Sequence, residues 1–201
     1  MVKDFNISNY KISNNNKPFI IAEIGVNHNG SLKLAKKMID KAKEVGADCV
    51  KFQTFNPSAL VSSKAKKAPY QILNTKNSKD TQFKMLNKLK LNFQDHKVLI
   101  KYCKTKKILF LSTPYNFSDV DMLKKLNVSA FKLASMHLTE PVFIEYVAKQ
   151  KKPIILSSGM SNYKDVKKSV KILKKKLKNK FILLQCTTNY PSDLKEANIN
   201  V

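Results

Sequence analysis

The chain holds 201 residues, long enough for one domain with a real core, and its 43% apolar content excludes a wholly disordered polymer. A formal charge of +24 raises the question of nucleic-acid binding, but all 38 basic residues are lysine, so the bidentate arginine fork that reads guanine is absent. No apolar run reaches the roughly 18–20 residues that span a bilayer, and the opening MVKDFNISNYKISNNNK lacks the apolar stretch of a secretory signal.

Residues 1–16 read as an N-terminal extension, and 17–201 as one α/β domain. PFIIAEIG is short, β-branched and bounded by Pro18 and Gly25, which predicts a strand. SLKLAKKMIDKAKEVG predicts a helix with Ser31 as N-cap, Gly46 at C′ and Leu34, Met38, Ala42 and Val45 along its apolar face. DCVKFQTF predicts a second strand, and the polar stretch at about 56–80 is too long for a simple turn, which predicts a functional loop.

The alternation then resumes. Helices near 93–106, 117–126 and 140–150 lead to the strands ILFLSTP, AFKLAS and PIILSSGM, and a lysine-rich helix leads to FILLQCTTNYP. That helix carries an apolar stripe of Val166, Val170, Leu173 and Leu177, which makes its lysines a solvated face rather than a nucleic-acid patch. The lysine and asparagine excess runs along the whole chain, a bias of the kind an AT-rich genome imposes. Cys49, Cys103 and Cys186 are scattered singles, which points to reduced thiols in a cytoplasmic protein. Continuous apolar strands alternating with helices predict a TIM (β/α)8-type barrel, here reaching about six βα units.

Polar residues gather at one end of these strands: Glu23, then Lys51 and Gln53, then Thr113. Lys132 and Ser135, Ser157 and Ser158, and finally Thr188, Asn189 and Tyr190 continue the series. Side chains alternate across a strand, so Lys51 and Gln53 share one face while Val50 and Phe52 take the other. Two inward lysines beside hydroxyls and the SSGM turn suit a small, highly anionic ligand such as a phosphate. Glu23 and Gln53 beside that cradle would orient a second, polyhydroxylated substrate. Taken alone, the residues predict a phosphate-binding barrel enzyme.

The segments FIIAEIGVNHNGSLKLAKKMIDKAKEVGADCVKFQTF, LSTP, FKLAS, PIILSSGM and CTTNYP, in this order, closely resemble the N-acetylneuraminate (sialic acid) synthase family, legionaminic acid synthases included. The resemblance implies a transferase of carbohydrate biosynthesis that joins phosphoenolpyruvate to an N-acetylated amino sugar, N-acetylmannosamine or a diamino-dideoxy hexose, and releases phosphate. Lys51 and Lys132 would then hold phosphoenolpyruvate, with Thr113, Ser135, Ser157, Ser158 and Gly159 completing its pocket. Gln53, Asn189 and Tyr190 would face the sugar, and Glu23 would be an active-site acid that orders a water or stabilises the positive charge developing at C2. It also implies a divalent metal, manganese or magnesium, to polarise the sugar aldehyde, with its histidine ligands beyond position 201. It further implies a homodimer and a C-terminal antifreeze-like domain.

Met136 and His137 stand where the family often has glycine and an acid, and His28 in the NHNG loop is expected to be structural. Competing expectations are a related aldose-phosphate synthase, a catalytically incompetent truncated fragment, and half of a split synthase that needs a C-terminal partner chain. A basic nucleic-acid-binding protein is the distant alternative.

Overall fold

The computed structural model describes residues 4–76, 79–189 and 192–198. The chain divides into two compact units, one of Ile20–Phe110 and one of Met1–Phe19 with Leu111–Val201. The N-terminal residues form a hairpin, β1 (Phe5–Ile7) and β2 (Tyr10–Ile12), paired antiparallel with Ile7 opposite Tyr10. Its inward side chains, Phe5 and Ile7, are buried. Asn179 of the same unit donates to the Asp4 carbonyl at 3.2 Å, tying the hairpin down.

The Ile20–Phe110 unit begins with β3 (Ile21–Gly25), α1 (Leu32–Glu44) and β4 (Cys49–Thr54). Ser31 caps α1 by accepting from the Leu34 N–H, as expected, and Gly46 follows the helix with φ +85°. The buried face of α1 is Ala35, Ile39 and Ala42, so Ala42 is buried as expected, while Ala35 and Ile39 take the places predicted for Leu34 and Met38 and Val45 is 79% exposed. Small alanines let the helix lie close to the sheet, which the larger Leu34 and Met38 would hold away.

The stretch expected as a loop contains α2 (Pro57–Leu60) and α3 (Pro69–Thr75), followed by a helix that the sequence reading missed, α4 (Gln82–Leu89). Gly30 shows why the NHNG loop ends in glycine: its φ is +73°, and a Cβ there would stand 2.3 Å from the Lys88 carbonyl oxygen. Next come α5 (Phe93–Thr105), capped reciprocally by Asn92 and Asp95, and β5 (Leu109–Pro114). The strand order is β3-β4-β5, with β3 and β4 parallel and the boundary between units falling inside β5. Phe52 and Phe110 stack at 5.3 Å in the core of this unit. Leu99 and Ile39 are fully enclosed, each worth about 1.5–3 kcal/mol of burial.

The second unit continues with α6 (Phe117–Lys125), β6 (Phe131–Leu133), a 3-10 turn over Ser135–Thr139, α7 (Pro141–Ala148), β7 (Ile154–Ser157), α8 (Tyr163–Leu177) and β8 (Phe181–Leu184). Strands β6, β7 and β8 form a parallel sheet in that order. The chain therefore has an α/β fold with parallel sheets. On α8, Leu173 and Leu177 are buried as expected, but Ser169 joins them and donates to the Leu138 carbonyl at 2.5 Å, while Val166 and Val170 are only partly covered. Lysines and an asparagine fill positive-φ positions after helices: Lys107 after α5 (+52°), Asn127 after α6 (+54°) and Lys151 after α7 (+60°). Among the described residues, no helix is long and apolar enough to cross a membrane.

Candidate active site

The Ile20–Phe110 unit brings Glu23, Lys51 and Gln53 together. Glu23 lies directly opposite Lys51 in the β3–β4 register, and the register slips between Glu23 and Gly25. Such a bulge re-aims the side chains beside it. The Lys51 ammonium is ion-paired with the Glu23 carboxylate. The lysine side chain is only 11% exposed and the glutamate 54%, so the pair has a buried cation and a wet anion. Gly25 leaves the space beside them, since a Cβ there would meet Glu23 Oε1 at 3.3 Å and Gln53 Nε2 at 3.7 Å. A cation held at a strand end by an accessible carboxylate can pass to an anionic ligand while the carboxylate turns to a water or hydroxyl.

The other unit builds a second basic position. Lys132 is buried on β6 and donates to Ser157 Oγ at 2.5 Å and to the Leu133 carbonyl at 2.9 Å. Ser157 ends β7, so the parallel pairing of β6 with β7 delivers lysine and hydroxyl to one place. Ser158 donates its hydroxyl to the Leu184 carbonyl at 2.9 Å, joining the turn to β8. Gly159 is pressed against the Cys186–Thr187 backbone, where a Cβ would stand 3.0 Å from the Cys186 oxygen. Thr113 is buried near the end of β5. Ser135 follows β6 and opens the 3-10 turn rather than ending the strand.

Two sugar-facing expectations fare differently. Strand β8 stops at Leu184, so Asn189 lies beyond the strand end, exposed, with its amide donating to Glu196 Oε2 at 2.9 Å. Tyr190 lies outside the described residues.

Further buried groups include His96 and Lys67, which the sequence does not single out. His96 bridges Asn92 O and Thr54 Oγ1, each at 2.8 Å. A carbonyl can only accept, so Nδ1 carries the proton and Nε2 accepts from the threonine hydroxyl. Burial holds the His96 pKa below its ordinary value of 6.5. His28 accepts from the Gly30 N–H at 3.0 Å, and burial, followed by the charge of His96, lowers its pKa too. It serves the loop, as expected. Lys67 is a further buried lysine, bonded to Thr75 Oγ1 at 3.1 Å; burial alone therefore does not single out a ligand-binding lysine. Burial also raises the Cys103 thiol to about 12 and pushes that of Cys49 up as well, leaving both unreactive.

Comparison with known proteins identifies the family. The family model described as NeuB family matches residues 38–201. An N,N'-diacetyllegionaminic acid synthase of Campylobacter jejuni is 44% identical over 91% of this chain and 55% of its own length. The synthase of the same name from Legionella pneumophila is 40% identical over 90% of the chain and 52% of its own length. A crystal structure of an N-acetylneuraminic acid synthetase from Leptospira borgpetersenii, in complex with citrate, superposes with a TM-score of 0.84 at 32% identity, covering 98% of this chain and 64% of that one. The chain belongs to the NeuB family, and it spans about half the length of the curated relatives it matches.

Proposed function

We propose that the protein is a nonulosonic acid synthase: it condenses phosphoenolpyruvate with an N-acetylated amino sugar and releases phosphate, in the biosynthesis of surface glycans. The observation that carries this reading is a buried strand lysine, Lys132, bonded to Ser157 at the end of the next strand, in a chain of this family. In this reading the parallel sheets are parts of a TIM-type barrel, and Lys51 and Lys132 serve one anionic ligand. Thr113, Ser135, Ser158 and Gly159 complete its pocket, and Gln53, Asn189 and Tyr190 meet the sugar.

The residues divide the work by charge. Lysine binds phosphate and carboxylate oxygens as a point charge, and hydroxyl donors fix their orientation. As C3 of phosphoenolpyruvate forms the new carbon–carbon bond, positive charge grows at C2, and the Glu23 carboxylate stabilises it or orders the water that captures it. A homodimer and a cytoplasmic location belong to the same reading. So does a divalent metal, but among the described residues no group of three His, Cys, Asp or Glu side chains can hold one.

The test is phosphoenolpyruvate binding, followed by 31P NMR on the chain and its Lys51→Ala and Lys132→Ala variants. Each truncation removes a charge-assisted contact worth about 1.5–3 kcal/mol, so affinity should fall roughly 10- to 100-fold with the fold intact. Wild-type affinity in both variants overturns the reading.

A further inference from the structure

Strand β3 reaches α1 through the short segment Val26–Ser31, and one buried ring organises it. The Asn27 N–H donates to the Ile24 carbonyl at 3.0 Å, that of Asn29 to Val26 at 3.0 Å and that of Ser31 to His28 at 2.8 Å. These successive turns fold the segment back onto the strand end. Asn29 (φ +49°) and Gly30 (φ +73°) are consecutive left-handed residues, a conformation that the chain otherwise visits singly.

His28 holds that arrangement. It is 1% exposed, and its Nδ1 accepts from the Gly30 N–H at 3.0 Å, so the neutral ring carries its proton on Nε2. Burial first, and the charge of His96 second, keep the ring neutral by lowering its pKa, against a smaller opposing pull from the Gly25 carbonyl. That carbonyl therefore stands beside the ring, although Nε2 makes no hydrogen bond among the described residues. The imidazole spans the loop from Gly30 at its far end to Gly25 at its root.

Gly25 connects the loop to the charged pair. It is the register partner of Phe52, which stands between Lys51 and Gln53 on β4 and whose ring lies 5.9 Å from that of His28. A Cβ on Gly25 would stand 3.3 Å from Glu23 Oε1 and 3.7 Å from Gln53 Nε2, so this backbone bounds the space in which the carboxylate lies. Close-packed groups transmit a displacement of one to the next. We propose that His28 is a positioning residue: by clamping Gly30 to Gly25 it fixes the bulge that aims the Glu23 carboxylate at Lys51. The use of that pair in turnover rests on the synthase reading above; the clamp itself does not. A ring that merely filled the core would need only its shape, whereas a clamp needs the Nδ1 acceptor.

The experiment uses the 201-residue chain labelled with 13C at the glutamate carboxyl carbons. Lys51→Ala marks where the Glu23 signal falls when the ion pair is absent. His28→Phe keeps a ring against Phe52 without an acceptor, and should carry the Glu23 signal most of the way to that position while Glu44 and Glu145 stay unmoved. His28→Gln, whose amide lies at the Nε2 end, should do the same. His28→Asn offers an oxygen in place of Nδ1 and should restore the wild-type Glu23 signal, even though losing the ring lowers its melting temperature. In the unmutated chain, the 15N signal of His28 Nδ1 should be that of an unprotonated, accepting nitrogen. A protonated Nδ1, an unmoved Glu23 signal in folded His28→Phe or His28→Gln, or no restoration by His28→Asn overturns the proposal. Titration with phosphoenolpyruvate separates the two claims. If Lys51→Ala binds it as tightly as the unmutated chain while the Glu23 signal follows His28, the synthase reading falls and the clamp stands. If Lys51→Ala weakens binding while the Glu23 signal ignores His28, only the clamp falls.

Discussion

Two regions of the molecule each bury a histidine, and the contrast between them shows two ways of holding a ring out of water. Around His96 every polar ring atom has a partner, the Asn92 carbonyl on one nitrogen and the Thr54 hydroxyl on the other. Around His137 one nitrogen holds Glu140 and the other has none among the described residues, as does the nearby Asn116 amide. Residue type and burial are the same in both places. The completeness of the hydrogen bonding differs: His96 is held through both ring nitrogens, whereas His137 is held through one alone, as is His28, whose Nε2 is also buried without a partner among the described residues.

The largest effect that would break this comparison is on stability. Thr54→Val leaves the His96 acceptor buried and unpaired, and should destabilise the protein by about 1–3 kcal/mol in urea unfolding. His137→Phe retains the stack on Phe143, removes an unpaired nitrogen and frees a half-exposed carboxylate to water, so it should cost less than about 1 kcal/mol. Equal losses would mean that both histidines are structural.

A smaller effect lies in the response to acid. His28 and His96 have folded-state pKa values depressed below 6.5, chiefly by burial. The unfolded chain therefore binds more protons than the folded one from about 6.5 downward, and stability is full above that pH and lost as pH falls through the folded values. Asp119 acts in the opposite direction. Burial raises its pKa from 3.8 to about 6, so its penalty on the fold is relieved between pH 6 and 3.8. Thermal melts from pH 7 to 4 should show an acid-sensitive limb that His96→Phe flattens and Asp119→Asn steepens; unchanged limbs would remove these groups from the account.

How much of this was legible beforehand follows the same division. Strands β3 to β8 announce themselves as apolar runs, because parallel strands covered on both sides need no alternation. The lysines stand out because a cation inside such a run is rare. The hairpin of FNISNYKI reads only as an extension, since a three-residue strand carries too few side chains to show a period. Helix α4 was hidden in a polar stretch, none of its residues being buried. The apolar face of α1 is misplaced because Leu34 and Met38 have the same four-residue spacing as Ala35 and Ile39, one position further on. Beyond β6, His137 is visible in the sequence only as a departure from a family pattern. An unpaired nitrogen is a property of three-dimensional packing and leaves no trace in one residue's identity.

The smallest predicted effect concerns the helix exits. Lys107, Asn127 and Lys151 hold φ of +52°, +54° and +60°, the left-handed region where a Cβ crowds the following carbonyl. Lys107→Gly and Lys151→Gly should each raise stability by about 0.5–1 kcal/mol, read as a shift in urea midpoint, because the relief of crowding exceeds the extra freedom of an unfolded glycine. A midpoint that stays put or falls would show that the lysines give back at the helix C-terminus as much as they strain.

The glycine count gives those exits an evolutionary meaning. With only four glycines in the chain, positions that favour a residue without a side chain are occupied by lysine and asparagine, the two residues most enriched throughout. Mutational drift in nucleotide usage would thus be written into backbone angles as well as into surface charge. Each such exit is reversible: one codon change restores ease at the turn, so the lineage retains a store of stabilising steps that offset costlier changes elsewhere in the chain.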